Sequence, residues 1–200
     1  MRFVEPFPGA LSWVAPEPAF MRRASHALVV DGRVWLVDAV AGPEVVERVR
    51  ALGEPAGVLQ LTDRHDRDGA ALAAELGVAL HRLPFGGVPG TPLRPIALHR
   101  NRLWNELALW WPEPRMLVCT ESVGTAPYYR ASGERLAVHP MLRVRPPRAL
   151  AGLEPEHVLV GHGEPLSDGA ATALRDALDG ARRRAPAWLW SLRGSLRPRR

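Results

Sequence analysis

Seven consecutive residues, Thr62-Asp63-Arg64-His65-Asp66-Arg67-Asp68, hold three aspartates, two arginines and a histidine. Carboxylate oxygens and neutral imidazole nitrogens are ligands for divalent cations. The same groups serve as general acids and bases. A turn that only had to reverse the chain would use glycine, asparagine or proline. Two other positions share this character. Glu121 follows the apolar run Met116 to Thr120, and His162 sits between Gly161 and Gly163 after the run that ends at Val160. Glycines on both sides of a histidine allow backbone to approach closely.

Each of these groups needs a strand to carry it. The apolar stretch from Ala56 leads into the polar turn, and an alanine- and leucine-rich stretch from Ala70 to Leu76 leads out, which reads as strand, turn, helix. Upstream, Ala27 to Val30 and Val34 to Val37 flank Asp31-Gly32, the signature of a β-hairpin, and Asp38 ends its second strand. Val45, Val46, Val49 and Leu52 follow one helical face, with Pro43 in the first turn. Gly77 closes the helix that begins near Gly69. Val78 to His81 predicts a short strand and Pro84 to Pro95 a loop. Leu98 to Leu103 and Glu106 to Trp111 predict two strands with a turn near Asn105. Pro155 to Val160 predicts a strand and Asp168 to Arg184 a helix capped by Asp168. Residues 1–24 are proline-rich and predict at most one edge strand, near Leu11 to Val14. Strands come first as a hairpin and then alternate with helices, which predicts a mixed α/β layered fold.

Length and composition set the bounds. Two hundred residues, 46% hydrophobic and 24% charged, suit one globular domain. The expected division is a body at 1–185 and a Trp- and Arg-rich tail at 186–200. Within that tail, Trp188, Leu189, Trp190, Leu192 and Leu196 read as a segment docked on the body, a dimer contact or a weak membrane-surface anchor, and docking is favoured because Pro186 separates it from the preceding helix. No apolar run reaches the roughly 18 residues of a membrane span, and the start lacks the apolar core of a signal peptide; the expectation is a cytoplasmic protein. A single cysteine, Cys119, permits no internal disulfide and reads as a core residue. All 26 basic residues are arginine and the net charge is +5. They are dispersed until Arg182-Arg183-Arg184 and Arg197, Arg199 and Arg200, and no base-reading motif accompanies them, so specific nucleic-acid binding is not expected.

The order of these landmarks resembles the metallo-β-lactamase-fold hydrolases from about Ser25 to Leu178. The hairpin strand ending at Asp38 is similar to that family's apolar strand ending in aspartate. Thr62 to Asp68 stands where the family carries Thr-His-x-His-x-Asp-His, Thr120-Glu121 where it carries Gly-Asp, and Gly161-His162-Gly163 where it carries a late Gly-His-Gly. The resemblance implies a four-layer αββα sandwich and a hydrolytic centre with two metals, usually zinc. Carried over by position, the first motif histidine is Asp63, the second His65, the motif aspartate Arg67 and the last motif histidine Asp68. The bridging aspartate is Glu121 and the late histidine is His162. The histidine expected before the Leu107 strand has no counterpart, with Arg102 nearest and His99 the alternative.

Arginine has no lone pair to offer and keeps its proton. Arg67 therefore removes a ligand, and an intact two-metal site is not expected. Three readings stay open. One divalent metal (Zn²⁺, Mn²⁺ or Fe²⁺) survives on some of Asp63, His65, Asp68, Glu121 and His162. Alternatively, no metal binds, and Arg67 with Arg102 pairs with the carboxylates instead. In the third reading the segment is a solvated turn. The first is a divergent hydrolase of ester, thioester, lactone or phosphoester bonds, with Arg67, Asp68 and Arg102 as its catalytic group. The second is a non-catalytic binder of an anionic small molecule through Arg67 with Arg64 or Arg102. His81, His99, His139 and His157 read as structural histidines, and Trp110 and Trp111 as packing residues.

Overall fold

A computed structural model describes residues 1–16, 21–131 and 133–195, with side chains to 190. Its first sheet has six strands in the order β1-β2-β3-β4-β5-β6. These are β1 (Arg2–Phe7), β2 (Ala10–Val14), β3 (Ala24–Val30), β4 (Arg33–Val37), β5 (Glu54–Gln60) and β6 (Ala79–Arg82). The first four are antiparallel neighbours, while β5 and β6 add on in parallel after helices α1 (Val45–Leu52) and α2 (Gly69–Leu76). The second sheet comprises β7 (Arg94–Arg100), β8 (Asn105–Trp111), β9 (Met116–Cys119) and β12 (His157–Val160), in the order β12-β9-β8-β7. Between β9 and β12 run a two-residue ladder, β10 (Val123–Gly124) with β11 (Ala137–Val138), and two short 3-10 turns. Helix α3 (Ala170–Ser195) completes the chain.

Side-chain alternation explains the layers, since successive strand residues face opposite sides. On β4, Val34 and Leu36 pack outward against Val45 and Val49 of α1 and Leu72 of α2. Trp35 and Val37 turn inward to meet Leu107, Leu109, Met116 and Val118 of the second sheet. On β9, Leu117 and Cys119 face the other way, onto Ala173, Leu174, Ala177 and Leu178 of α3. The result is a four-layer αββα sandwich with one apolar seam between the sheets and one under each helical layer. No described helix is long and apolar enough to cross a membrane.

Several boundaries differ from expectation for local reasons. The N-terminal region forms two strands, not one, because Pro6 lies in β1 at the sheet edge, where a missing donor is tolerated. The same tolerance lets Pro95 stand second in the edge strand β7, so strand extends into the expected loop and the turn falls at 101–104. Glu44 has φ 68°, so α1 starts at Val45 rather than at Pro43. Asp168 pairs with Arg135 (3.2 Å), and α3 begins after it at Ala170. Helix α3 also runs straight through Pro186, and Trp188 donates from Nε1 to the Tyr128 carbonyl (2.7 Å). The expected docking residues Leu192 and Leu196, and the terminal arginines Arg197, Arg199 and Arg200, lie outside the described side chains.

Candidate metal centre

Register carries two of the polar groups to one place. Strand β12 pairs with β9 in parallel, with Val160 opposite Cys119. Two residues beyond each, Glu121 and His162 emerge at the same level. His65 comes from the other sheet, on the loop after β5. That loop is sewn across the sandwich: Leu107 N donates to Leu61 O (3.0 Å), Asp63 N donates to Asn105 O (3.1 Å), and Thr62 bridges Glu106. The start of β3 is sewn to the end of β12 likewise, with Ala24 N donating to Gly161 O (2.8 Å) and Gly163 N to Arg22 O (2.8 Å).

The glycines flanking His162 are needed for this closeness. A Cβ on Gly161 would lie 2.1 Å from Thr120 O and 2.9 Å from His65 Cε1. Gly163 has φ 99° and a Cβ there would meet Thr125 Oγ1 at 2.2 Å.

Three donor atoms converge. His65 Nε2 lies 2.9 Å from Glu121 Oε2 and 3.0 Å from His162 Nε2, and His162 Nε2 lies 3.0 Å from the same carboxylate oxygen. All three residues are buried, at 7%, 4% and 4% exposure for His65, Glu121 and His162. Both imidazoles are oriented from behind. His65 Nδ1 donates to Asp38 Oδ2 (2.9 Å), and His162 Nδ1 donates to the Met21 carbonyl (3.0 Å). A carbonyl can only accept, so the proton of neutral His162 is on Nδ1 and its Nε2 lone pair faces the triangle. Fixing the far nitrogen so that the near one is free is how proteins prepare histidine ligands. The His/His/carboxylate set fits one divalent cation chemically.

Electrostatics follow from this packing. Burial opposes charge on Glu121, but the imidazoles of His162 and His65 set against it hold its carboxyl well below the usual range. Burial and Arg67 oppose charge on His65, yet Asp38 and Glu121 outweigh them and raise its pKa. Burial lowers that of His162. A single proton on His65 Nε2 therefore satisfies Glu121 and His162 together, in the place a cation would take. Beneath the triangle, Glu106 is buried with its carboxyl pushed up to about 7 by burial. It accepts from Glu121 N (3.0 Å), Ser122 N (2.8 Å), Ser122 Oγ (2.6 Å) and Trp104 Nε1 (3.1 Å), which fixes the backbone that presents Glu121.

The other expected site residues are dispersed. Asp63 is exposed, and its carboxylate accepts from Asn105 N (3.0 Å) and Nδ2 (2.8 Å), away from the triangle. Asp68 sits at the head of α2 and accepts from Ala41 N (2.8 Å). It is exposed and does not line the cleft with His65. Arg102 is exposed on the β7–β8 turn, and His99 lies behind the site, bonded from Nε2 to Ser122 Oγ (3.1 Å). Arg67 does enter the cleft, but it meets carbonyls rather than a carboxylate. Its Nη1 donates to Ala24 O (2.6 Å) and Asp38 O (2.9 Å), and its Nη2 to Gly161 O (2.9 Å), with His65 Nε2 at 3.3 Å. Three carbonyls gathered at one point attract the guanidinium more closely than any nearby acid does.

Sequence reasoning left other contributors unassigned. Asp38 was read as a strand end and as a landmark of the resemblance, with no role at the site. Its Oδ1 accepts from Leu61 N (2.9 Å) while Oδ2 holds His65. Its place at the end of an apolar strand was the available signal. His139 brings Nε2 to 3.5 Å from Glu121 Oε1, and Tyr129 donates to the Glu121 carbonyl (3.1 Å) and stacks on His162. Nothing in their local sequence marks them. The cleft above the triangle has a volume of about 670 Å³ and is lined also by Met21, Arg23, Arg64, Asp66 and Arg67. Arg64 lies over the Trp104 ring (4.6 Å) with Nε 3.6 Å from Glu121 Oε1.

No family model matches the chain, and no curated protein sequence does. Solved structures do. Two crystal structures of the DIM-1 metallo-β-lactamase, one of them exposed to ceftazidime, each superpose with a TM-score of 0.58 at 12% identity, covering 90% of this chain and 97% of theirs. Such identity speaks to architecture alone, and it agrees with the layer order described above: the chain has the metallo-β-lactamase fold.

Proposed function

We propose that this protein is a divergent, hydrolase-like member of that fold whose centre holds at most one divalent metal. One observation carries the reading: the Nδ1 atoms of His65 and His162 are engaged by Asp38 and Met21, which leaves both Nε2 atoms facing Glu121 Oε2. His65, Glu121 and His162 would hold the cation. Arg67 argues against a second one, since a guanidinium stands beside His65 where a further ligand would be needed. When bound, the cation would supply Lewis acidity toward a carbonyl or phosphoryl oxygen. The residues around it have separate tasks. Asp38 and the Met21 carbonyl hold the imidazole tautomers, Glu106 fixes the Glu121 backbone, and Arg64 faces the cleft where an anionic part of a substrate would sit. Esters, thioesters, lactones and phosphoesters are the substrate classes this suits. The test is metal content after purification without chelator, followed by titration with Zn²⁺ and Mn²⁺. Metal near one per chain, lost in His162→Ala, is expected. Content far below that, unrestored by added metal, would refute the reading.

A second reading is favoured by the arginines of the cleft. Arg23, Arg64 and Arg67 all line it, and such a surface suits an anionic small molecule bound without chemistry. Here phosphate, nucleotides or carboxylates would raise the melting temperature, and Arg64→Ala would abolish the shift. No shift with any of them removes this alternative.

A further inference from the structure

We propose that the outer face of the C-terminal half of α3, together with the 139–145 segment beside it, docks on an anionic lipid surface. The inference goes beyond the chemistry proposed above and does not depend on a bound metal.

The helix separates its apolar residues into two sets. Leu174, Leu178 and Ala181 recur at helical spacing and are buried against the second sheet. Trp188 continues that stripe, about two turns after Ala181, and its indole N–H is held by the Tyr128 carbonyl. Leu189 and Trp190 leave the stripe, because each further residue turns about 100° around the axis. They are 59% and 74% exposed. About two turns earlier on the same sides of the helix stand Arg182 and Arg183, both exposed.

The 139–145 segment adjoins this face. Arg182 Nε donates to Val144 O (2.6 Å), and the Tyr128 ring meets both Trp188 and His139. Met141 and Val144 stand out from the segment at 69% and 67% exposure, and Arg145 is exposed beside them. Of the five large hydrophobic side chains exposed among the described residues, four therefore belong to these two adjoining segments.

Charge selects the occupant. Seven of the 26 arginines follow Asp179 and no acid does, so residues 1–179 hold two more acids than arginines. The net charge of +5 is thus owed to the last 21 residues. A second copy of the chain, meeting this face across a two-fold axis, would set those arginines against one another. A nucleic acid would neutralise the arginines but leave Met141, Val144 and Leu189 without apolar cover. An anionic bilayer suits both kinds of residue: arginines meet the headgroups, while tryptophan and leucine enter the boundary with the acyl chains.

The test uses the full chain and phosphatidylcholine vesicles, with and without phosphatidylglycerol. Binding is read by co-sedimentation and by quenching of tryptophan fluorescence from brominated acyl chains. The expected result is binding at least about 10-fold tighter to the anionic vesicles, weakening as salt rises. Arg183→Ser should weaken it about fivefold, the worth of one cation near such a surface. The double variant Leu189→Ser, Trp190→Ser should lose both sedimentation and quenching with its thermal midpoint retained, since both side chains are exposed. Absent binding, equal binding to the two vesicle types, or anionic binding kept in full by the double variant would overturn the proposal. A concentration-dependent dimer that the double variant abolishes, without vesicle binding, would overturn it in favour of a second copy. Single-stranded RNA bound in place of vesicles would overturn it in favour of a nucleic acid.

Discussion

Replacing Asp38 with asparagine isolates the orientation of His65 from the presence of His65. The native carboxylate accepts twice, from Leu61 N and from His65 Nδ1, each at 2.9 Å. An amide of the same shape keeps one acceptor, and the Leu61 backbone donor claims it. The NH₂ group then faces His65 Nδ1, where two donors cannot meet. Imidazole resolves the conflict by giving up its Nδ1 proton and keeping the one on Nε2, which leaves hydrogen fixed at the vertex of the triangle. Metal affinity should fall about 10- to 100-fold, the usual consequence of losing an orienting partner, equivalent to about 1.4–2.8 kcal/mol. Folding stability should fall by about 1–1.5 kcal/mol as a hydrogen bond to a charged carboxylate is exchanged for a neutral one. Competition against a chromophoric chelator measures the first quantity and urea unfolding the second. An Asp38→Asn variant that folds normally and binds Co²⁺ or Zn²⁺ as tightly as the native chain would refute the account of the tautomer.

Other outcomes follow from the same geometry. Arg67→Met should raise metal affinity by removing a cation beside His65 Nε2, while lowering stability by about 1–3 kcal/mol, since Ala24 O loses the Arg67 donor while Asp38 O keeps Ser25 Oγ and Gly161 O keeps Ala24 N; weaker metal binding in a folded variant contradicts this. Gly161→Ala should lower the thermal midpoint and abolish metal binding together, since its methyl meets Thr120 O and the His65 ring; a stable variant with normal metal affinity counts against the close approach. His26 is fully buried, with Nε2 bonded to Val160 O (3.0 Å), and burial lowers its pKa to about 4 from 6.5. The unfolded chain takes the proton first, so this contribution to stability is present above about pH 6.5 and lost as pH falls towards 4. The loss reaches about 3 kcal/mol. Urea midpoints across that range should slope less in His26→Gln; equal slopes would dismiss the assignment.

The parts of the chain that were legible were those where one physical rule acts alone. The hairpin at Asp31-Gly32 was readable because both residues take positive φ, 50° and 76°. Gly77 was readable because its N–H closes α2 onto Ala73 O and Ala74 O. The meeting of His65, Glu121 and His162 was implied by a resemblance and by three strand ends, and parallel register between β9 and β12 accounts for two of them. Asp63 and Asp68 were not separable from His65 on paper, because a loop has no periodicity to say which way each side chain points. Their carboxylates turned to backbone donors at Asn105 and Ala41. Arg23 gave no signal in a chain where arginine is everywhere, and His139 reaches Glu121 only because the segment after β11 turns back over it. Pro95 and Pro186 were read as breaks, and neither is one: the first lies on a sheet edge and the second inside α3.

Arg67 also bears on how this chain can change. Its guanidinium gathers carbonyls from β3, from the residue after β4 and from the residue after β12, so it belongs to the framework as much as to the cleft. An aspartate at position 67 would supply the lone pairs that arginine lacks, yet it would set a carboxylate against three carbonyl oxygens. A single substitution in that direction passes through a protein with four mutually repelling acceptors and no cation among them. Position 67 is therefore one-sided: arginine is easily kept there, and an acid is accommodated only once other residues supply donors to those carbonyls.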